Sequence, residues 1–285
     1  MVEAYSALMV NHTMVEVDGG ALAATAAGPD DGEPVLLLPG GPGEARSWRY
    51  TFPEIDGGPA GDHGLRLATF DRRGVGGSLG TEPSGSVPVN ADDAIAVGRA
   101  LLGERFHVVG ISVGGMVAMQ AAIRHPDQVV SLTLIATSSG GAGMTPPDQA
   151  YLDSAMNPPA DPSTAMRENL ALALSPGWPA QHPDRFEKLV AEMLGSPAVS
   201  DAANAALVEV FVTHDASHRL HEITAPTLVV GCEHDRVVPI ANSDHLAVAI
   251  PDARLVRVPT GHAIDIEAPE RLVELIAGHV AAHPR

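Results

Sequence analysis

Short, predominantly apolar segments recur along this chain, the first of them wholly apolar, and each ends at a turn rich in glycine, proline or polar residues. There are six of them: PVLLLPG at 34–40, LRLATFD at 65–71, FHVVGI at 106–111, SLTLIAT at 131–137, PTLVVG at 226–231 and ARLVRVP at 253–259. Apolar runs of this length, without polar residues at alternate positions, are typical of strands that are buried on both faces. The chain therefore favours a sheet that is covered on both sides.

Segments with helical periodicity separate these strands. They are ADDAIAVGRALLG, VGGMVAMQAAIRH, ANSDHLAVAI and PERLVELIAGHVAAH. Strands that alternate with helices predict parallel βαβ units. Near the start, MVEV and ALAATAA flank the turn signal Asp18-Gly19-Gly20, which indicates an antiparallel hairpin. The prediction is an α/β fold with a mostly parallel eight-stranded sheet and helices on both faces.

The alternation stops between about Gly140 and Leu220, where proline-rich breaks separate short amphipathic pieces such as DRFEKLVAEML. We interpret this stretch as a helical cap inserted after the sixth strand. The predicted division is a core of residues 1–139 and 221–285 with a cap of residues 140–220. Since ligands bind at the carboxyl ends of parallel strands, the residues that follow each strand are the candidates for chemistry.

The pattern G-x-S-x-G occurs twice, around Ser112 and around Ser78. A nucleophilic serine in a sheet of this kind needs a strand before it and a helix after it, so that the hydroxyl stands at the strand end. Ser112 follows FHVVGI and precedes VGGMVAMQAAIRH, whereas Ser78 has loop sequence on both sides. The sequence therefore predicts Ser112 as a nucleophile and Ser78 as part of a glycine-rich loop.

A serine hydroxyl needs a base, and the base needs an orienting acid. His262 follows the last strand, and Asp235 follows the strand before it. In a parallel sheet both would meet Ser112 at one edge, so we predict a Ser112–His262–Asp235 triad. Glu233 is an alternative orienting acid, and its neighbour His234 is expected to point away.

The oxyanion of an acyl-transfer intermediate needs N–H donors. The backbone amide of Val113, next to the nucleophile, is one candidate. The amide of Gly41, in the turn LLLPGGPG, is the other. For the substrate pocket we expect apolar side chains from the cap and its surroundings, namely Trp48, Met144, Met156, Trp178 and Met193.

Composition narrows the possible partners. A net charge of −18 and the lack of a Lys/Arg cluster exclude nucleic acid as a partner. No apolar run reaches the roughly 20 residues of a membrane span, and the first 20 residues show no secretion signal. The one cysteine, Cys232, fits a cytoplasmic location.

Metal ligands are a further possibility that the sequence raises. His214, Asp215, His218 and His221 have near-helical spacing, but they match no fixed metal motif, and we interpret them as cap surface. The expectation is a protein without metal or organic cofactor that acts on a small molecule. The oligomeric state stays open.

Four motifs in order resemble the α/β-hydrolase fold superfamily: GGPG, DRRGVGGS, GISVGG, and GCEHDRVVP with GHAIDIEAPE. The resemblance covers almost the whole chain and implies that Asp71, Arg72 and Arg73 belong to a structural loop beside the active site. Many relatives carry a histidine where this chain has Pro39.

Within the superfamily, the position of Ser112 argues against haloalkane dehalogenases and epoxide hydrolases, which use an aspartate there. GGPG is similar to proline iminopeptidases, although these usually have a tryptophan at the place of Val113. The C-terminal run and the cap length are similar to the methylesterases of anthracycline tailoring.

The predicted function is a serine hydrolase that cleaves a carboxylic ester, of the carboxylesterase or methylesterase kind, through an acyl-enzyme. Other acyl chemistry on the same triad is the alternative: a peptidase, a lactonase, a C–C hydrolase or an acyltransferase. An aminopeptidase would need acidic cap residues, for which Asp153, Asp161 and Glu168 are available. Two hypotheses belong to a different class: a cofactor-free enzyme that uses the His–Asp pair for proton abstraction, and a pure binding protein.

Overall fold

A computed structural model describes residues 11–59 and 61–285, and its strands form one eight-stranded sheet. Residues 1–10, on which the expectation about secretion partly depends, lie outside the described residues. The strands are β1 (Asn11–Val17), β2 (Gly20–Ala27), β3 (Glu33–Leu38), β4 (Leu65–Phe70), β5 (Phe106–Ile111), β6 (Val129–Ile135), β7 (Thr227–Cys232) and β8 (Ala253–Val258). Their order in the sheet is β1-β2-β4-β3-β5-β6-β7-β8. Only the pairs β1–β2 and β2–β4 are antiparallel, which confirms the predicted mostly parallel sheet.

The helices are α1 (Val87–Leu102), α2 (Val113–Arg124), α3 (Gln149–Met156), α4 (Pro162–Ala173), α5 (Trp178–Gln181), α6 (Pro183–Leu194), α7 (Asp201–Thr213), α8 (Ala241–Ala249), α9 (Ile264–Glu267) and α10 (Pro269–Ala281). Helix α1 begins earlier than its periodicity predicts. The Ser86 side chain caps it by accepting from the Val89 N–H, and Pro88 occupies the first turn. No helix in the described part of the chain is both long and apolar enough to cross a membrane.

Each central strand is buried on both faces because it separates two apolar cores. In β3, Leu36 and Leu38 pack in the core that contains Met116 and other residues of α2. Val35 and Leu37 point the other way, into the core with Leu272 and other residues of α10. Alternate side chains of a strand face opposite sides of a sheet, so a strand buried on both faces reads as a continuous apolar run.

The segment between β6 and β7 contains the five helices α3 to α7. It has a small apolar cluster of its own, in which Trp178 packs with Leu170, Phe186 and Leu189. Ile266, from the segment after β8, joins this cluster and connects it to the core. The division into a core and a cap of residues 140–220 stays a prediction.

Candidate active site

Ser112 is placed by the turn between β5 and α2. Its backbone is held at φ 54° and ψ −120°, a region that non-glycine residues rarely adopt. Its N–H donates to the Ile135 carbonyl at 2.9 Å, and its carbonyl accepts from the Thr137 hydroxyl at 2.7 Å. Strain of this kind costs of order 1–3 kcal/mol and persists only where the surroundings fix it. The two hydrogen bonds to the β6 end are part of that fixation.

The glycines around Ser112 are required by close packing. A Cβ at Gly114 would lie 2.1 Å from the Leu38 carbonyl oxygen, and one at Gly110 would lie 2.3 Å from the Gly114 carbonyl oxygen. Neither obstacle is a flexible side-chain end, because both are backbone atoms. The first turn of α2 can therefore approach β3 only where no side chain stands between them, and this approach sets the position of Ser112.

His262 and Asp235 form a hydrogen-bonded pair. His262 Nδ1 lies 2.7 Å from Asp235 Oδ2, while Asp235 Oδ1 accepts the N–H groups of Val237 and Val238 at 2.8 and 2.7 Å. The Asp235 side chain is fully buried, so its charge is balanced by these donors alone. With Nδ1–H turned to Asp235, the Nε2 atom of His262 is the one left to accept a proton.

The protonation of His262 is set by opposing effects. Burial alone would lower the pKa of its imidazole, but the charge of Asp235 and the hydrogen bond to it raise the pKa above the ordinary value. His262 and Ser112 line the same cavity, and within the described residues no hydrogen bond joins them. Catalytic hydrogen bonds are often long in the free enzyme and tighten when substrate binds.

The loop that carries His262 is tied to the end of α4. Glu267 accepts the N–H groups of Gly261 and Ser175 at 2.9 Å each, and it also bonds the Ser175 hydroxyl. Ala263 N–H donates to the Ala173 carbonyl at 3.1 Å. The position of His262 therefore depends on the helical segment between β6 and β7.

A cavity of about 350 Å³ contains Ser112 and His262. Its walls come from the core and from α3, α4, α6 and α7, and they are mostly apolar. They are formed by Gly40, Gly41, Pro42, Ser47, Trp48, Ile111, Ser112, Tyr151, Met166, Asn169, Leu170, Ala173, Met193, Leu207, Phe211, Val237, His262, Ala263, Asp265 and Ile266. A larger cleft of about 600 Å³ beside β1 contains none of the predicted triad. The smaller cavity is therefore the candidate active site.

Of the predicted pocket residues, Trp48 and Met193 lie in the cavity wall, and three others do not. Met156 ends α3 and is 77% exposed, because that helix buries none of its residues. Trp178 is buried inside the cluster of α4 to α6, with Arg185 over its ring. Met144 lies in the loop after β6, outside the wall. These three residues therefore lie outside the wall of the cavity that contains Ser112 and His262.

Several wall residues were missed by sequence reasoning. Tyr151, Met166 and Asn169 lie on α3 and α4, and Leu207 and Phe211 lie on α7. The sequence has no signal that separates them from other residues between β6 and β7. Asp265 is different. It is only three residues after His262, whose charge acts on it, so its place near His262 could have been predicted from the short separation.

The two predicted oxyanion donors lie at the nucleophile. Gly41 lines the cavity with φ 48°, and Val113 is the first residue of α2, directly after Ser112. Neither N–H donates to another group of the described chain. Free N–H groups at a helix start suit a developing negative charge.

The second G-x-S-x-G serine has structural contacts. Ser78 is buried, accepts from the Ala23 N–H at 2.9 Å and donates to the Asp71 carbonyl at 2.7 Å. The Asp71 carboxylate accepts from the backbone of Ala45 and Gly77, and Arg73 pairs with Asp93 at 2.6 Å. These bonds hold the DRRGVGGS loop in place.

The competing candidates lie elsewhere. Glu233 and His234 are exposed, and the acid that faces His262 is Asp235. The side chains of His214, Asp215, His218 and His221 do not form a group of metal ligands. In residues 11–59 and 61–285, no three His, Cys, Asp or Glu residues are placed to hold a metal ion.

Comparisons with known proteins show which family this chain matches and which proteins it is similar to. Residues 33–269 match the family model of the alpha/beta hydrolase fold. The protein named "Putative carbamate hydrolase RutD" of Azorhizobium caulinodans is 31% identical over 252 residues, which are 87% of this chain and 91% of that protein. The rhodomycin D methylesterase DauP of a Streptomyces species is 28% identical, over 94% of this chain and 98% of its own length. The solved structure of Est816, described as an N-acyl homoserine lactone degrading enzyme, is 29% identical with a TM-score of 0.75, over 93% of this chain and 99% of that one.

Proposed function

This chain belongs to the alpha/beta hydrolase fold family, and we propose that it is a serine hydrolase that cleaves a carboxylic ester of a small or medium-sized organic substrate. One observation carries the proposal. Ser112, on its strained turn, and His262, held by Asp235, line one largely apolar cavity of about 350 Å³. A cavity of this size holds small organic ligands.

The proposed reaction begins with proton transfer. His262 Nε2 takes the proton of the Ser112 hydroxyl as Oγ attacks the ester carbonyl carbon. Asp235 keeps the Nδ1–H in place and stabilises the imidazolium that forms. The carbonyl oxygen becomes an oxyanion, for which the N–H groups of Val113 and Gly41 are the proposed donors.

Collapse of this tetrahedral intermediate breaks the bond to the alcohol, and the His262 imidazolium returns its proton to the departing oxygen. The acyl group then stays on Ser112. Water attacks the acyl-enzyme, again giving a proton to His262, and the second collapse releases the carboxylic acid while Ser112 regains its proton. Besides the ester and one water molecule, these steps use Ser112, His262, Asp235 and the two backbone N–H groups.

The relatives support ester chemistry without choosing a substrate. DauP is named a methylesterase, and Est816 is described as degrading a lactone, which is a cyclic ester that needs the same attack. Lactone opening is therefore the second candidate. Carbamate hydrolysis, the activity in the name of RutD, is a further candidate for the same nucleophile.

The experiment compares wild-type protein with Ser112→Ala. Both are incubated with a fluorophosphonate probe, with p-nitrophenyl esters of graded chain length, with an N-acyl homoserine lactone and with a simple carbamate. We expect labelling and ester turnover in the wild type and neither in Ser112→Ala. Ser78→Ala is the matched control, since it removes the other G-x-S-x-G serine and should keep the labelling.

Any of three results would contradict the proposal. The wild type is not labelled, ester turnover survives in Ser112→Ala, or labelling is lost in Ser78→Ala and kept in Ser112→Ala. Labelling with turnover of the lactone or the carbamate alone would replace the ester by that substrate and leave the nucleophile unchanged.

A further inference from the structure

Asp265 presents a carboxylate to the active-site cavity. It lies in α9, three residues after His262, and lines the same wall as Trp48 and Phe211. No described side chain donates a hydrogen bond to this carboxylate or forms an ion pair with it. Among the described residues of the wall, Asp265 is the only one with a carboxyl group. The reaction steps proposed above do not use it.

Arg49, whose charge acts on Asp265, is already bound to other groups. Arg49 donates to the Arg46 carbonyl at 3.0 Å, to the Tyr50 hydroxyl at 2.6 Å and to Glu192 at 3.4 Å. The Tyr50 hydroxyl donates to the same Glu192 at 2.7 Å. Arg49 is thus held by Glu192 of α6, and Asp265 remains available to a ligand.

The surroundings of Asp265 disfavour its charged form. Burial raises the pKa of the Asp265 carboxyl to about 6, although nearby backbone N–H groups and the charges of His262 and Arg49 oppose the rise. A partly buried carboxylate without a partner gains most from a ligand that brings both a donor and a positive charge. A neutral hydroxyl would bring the donor alone, and an anion would be repelled.

Two other features also favour a cation. The whole chain carries a net charge of −18, which raises the local concentration of positive ligands. Trp48 and Phe211 place aromatic rings in the same wall, and aromatic faces attract ammonium groups. A cavity lined by both a carboxylate and aromatic rings is a chemically suitable receptor for an amine.

We propose that Asp265 is a specificity-determining residue of this cavity and that it pairs with a protonated amine on the substrate. The inference rests on the proposed function in one respect, namely that the cavity around Ser112 is where the substrate binds. It assigns the substrate a class: an ester that carries an amino group within reach of the wall formed by α9.

The first test measures binding without turnover. Benzylammonium and benzyl alcohol are titrated by calorimetry into Ser112→Ala, alone and combined with Asp265→Asn. We expect benzylammonium to bind about tenfold or more tightly than benzyl alcohol, and Asp265→Asn to remove that preference. Asp153→Asn, which changes an exposed acid of α3 outside the cavity, is the matched control and should keep it. Equal binding of the two ligands, or a preference that survives Asp265→Asn, would overturn the proposal.

The second test uses a matched pair of substrates, methyl 4-(aminomethyl)benzoate and methyl 4-methylbenzoate, which differ by one amino group that stays protonated at the pH of the assay. At about pH 8, where Asp265 is ionised, the ratio of their kcat/KM values should fall about tenfold or more in Asp265→Asn, mainly through KM for the amino ester. Both esters use the same His262, so any effect of the substitution on that base cancels in the ratio. An unchanged ratio contradicts the proposal.

The two tests separate this inference from the proposed function. If Ser112→Ala still hydrolyses esters, the nucleophile is wrong, but the binding preference of Asp265 is still measured. If the hydrolysis depends on Ser112 and the preference for amines is absent, the role of Asp265 is wrong and the serine mechanism stands.

Discussion

Replacing Asp235 by asparagine tests the proposed triad most directly, because the side chain keeps its shape and loses one acceptor. In the wild type, Oδ1 accepts two backbone N–H groups, from Val237 and Val238, and Oδ2 accepts His262 Nδ1–H. Asparagine has one oxygen and one NH₂ group. The oxygen will stay with the two N–H groups, since the opposite orientation would leave both of them facing another donor.

The NH₂ group of the introduced asparagine would then face His262 Nδ1 and force it to become an acceptor. The proton of the imidazole moves to Nε2, which is the atom that must accept the proton from Ser112. Loss of the correct tautomer costs about 10⁴ in kcat in enzymes with such a triad. This corresponds to about 5.4 kcal/mol of transition-state stabilisation, so kcat should fall far more than KM changes.

The assay is steady-state hydrolysis of a p-nitrophenyl ester, with circular dichroism and thermal melting to show that the variant is folded. Glu233→Gln is the matched control, since Glu233 is the exposed neighbouring acid and should leave kcat unchanged. A folded Asp235→Asn variant that keeps more than about a tenth of the wild-type kcat would refute this reasoning. A large loss in Glu233→Gln would move the orienting role to that residue.

Three further predictions follow from the same geometry. Gly114→Ala, whose Cβ would lie 2.1 Å from the Leu38 carbonyl oxygen, should lower both the melting temperature and fluorophosphonate labelling, and an unchanged melt would contradict the packing argument. Hydrolysis should fall as the pH drops through the raised pKa of His262, so the acid limb of a kcat/KM profile should lie above about pH 6.5. An acid limb below that value would contradict the assignment of His262 as the base. Ser78→Ala should lower the free energy of unfolding by about 1–3 kcal/mol in a urea titration, because the Ala23 N–H loses its acceptor. If the variant lost labelling and kept its stability, the role of Ser78 would instead be chemical.

The sheet could be predicted because burial on both faces leaves little choice of residue type. Val35, Leu36, Leu37 and Leu38 serve two different cores, and each position therefore had to be apolar. Such runs are visible in a sequence without knowledge of their partners. The placement of Ser112 and His262 in one cavity, with Asp235 bonded to His262, was predictable for a related reason. Parallel strands bring their carboxyl ends to one edge of the sheet.

The walls of the cavity could not be predicted in the same way. Short amphipathic helices do not specify which of their faces meets which neighbour. Trp178 packs inside the cluster of α4 to α6, whereas Met193, on one of the same helices, reaches the cavity. Met156 is apolar and exposed. Residue type alone does not distinguish these three, because the distinction arises from the packing of the helices.

Two acids of α9 show how a structure separates roles that look alike in a sequence. Glu267 accepts hydrogen bonds from Gly261 and from both the N–H and the hydroxyl of Ser175, so its charge is used in joining the His262 loop to the end of α4. Asp265, two residues earlier, has no side-chain donor among the described residues and faces the cavity. A carboxylate that holds the fold is supplied with donors by the fold itself. A carboxylate that pairs with a substrate keeps room for the donor that the substrate brings, and of the two acids only Asp265 lacks a side-chain donor among the described residues, as the proposed role requires.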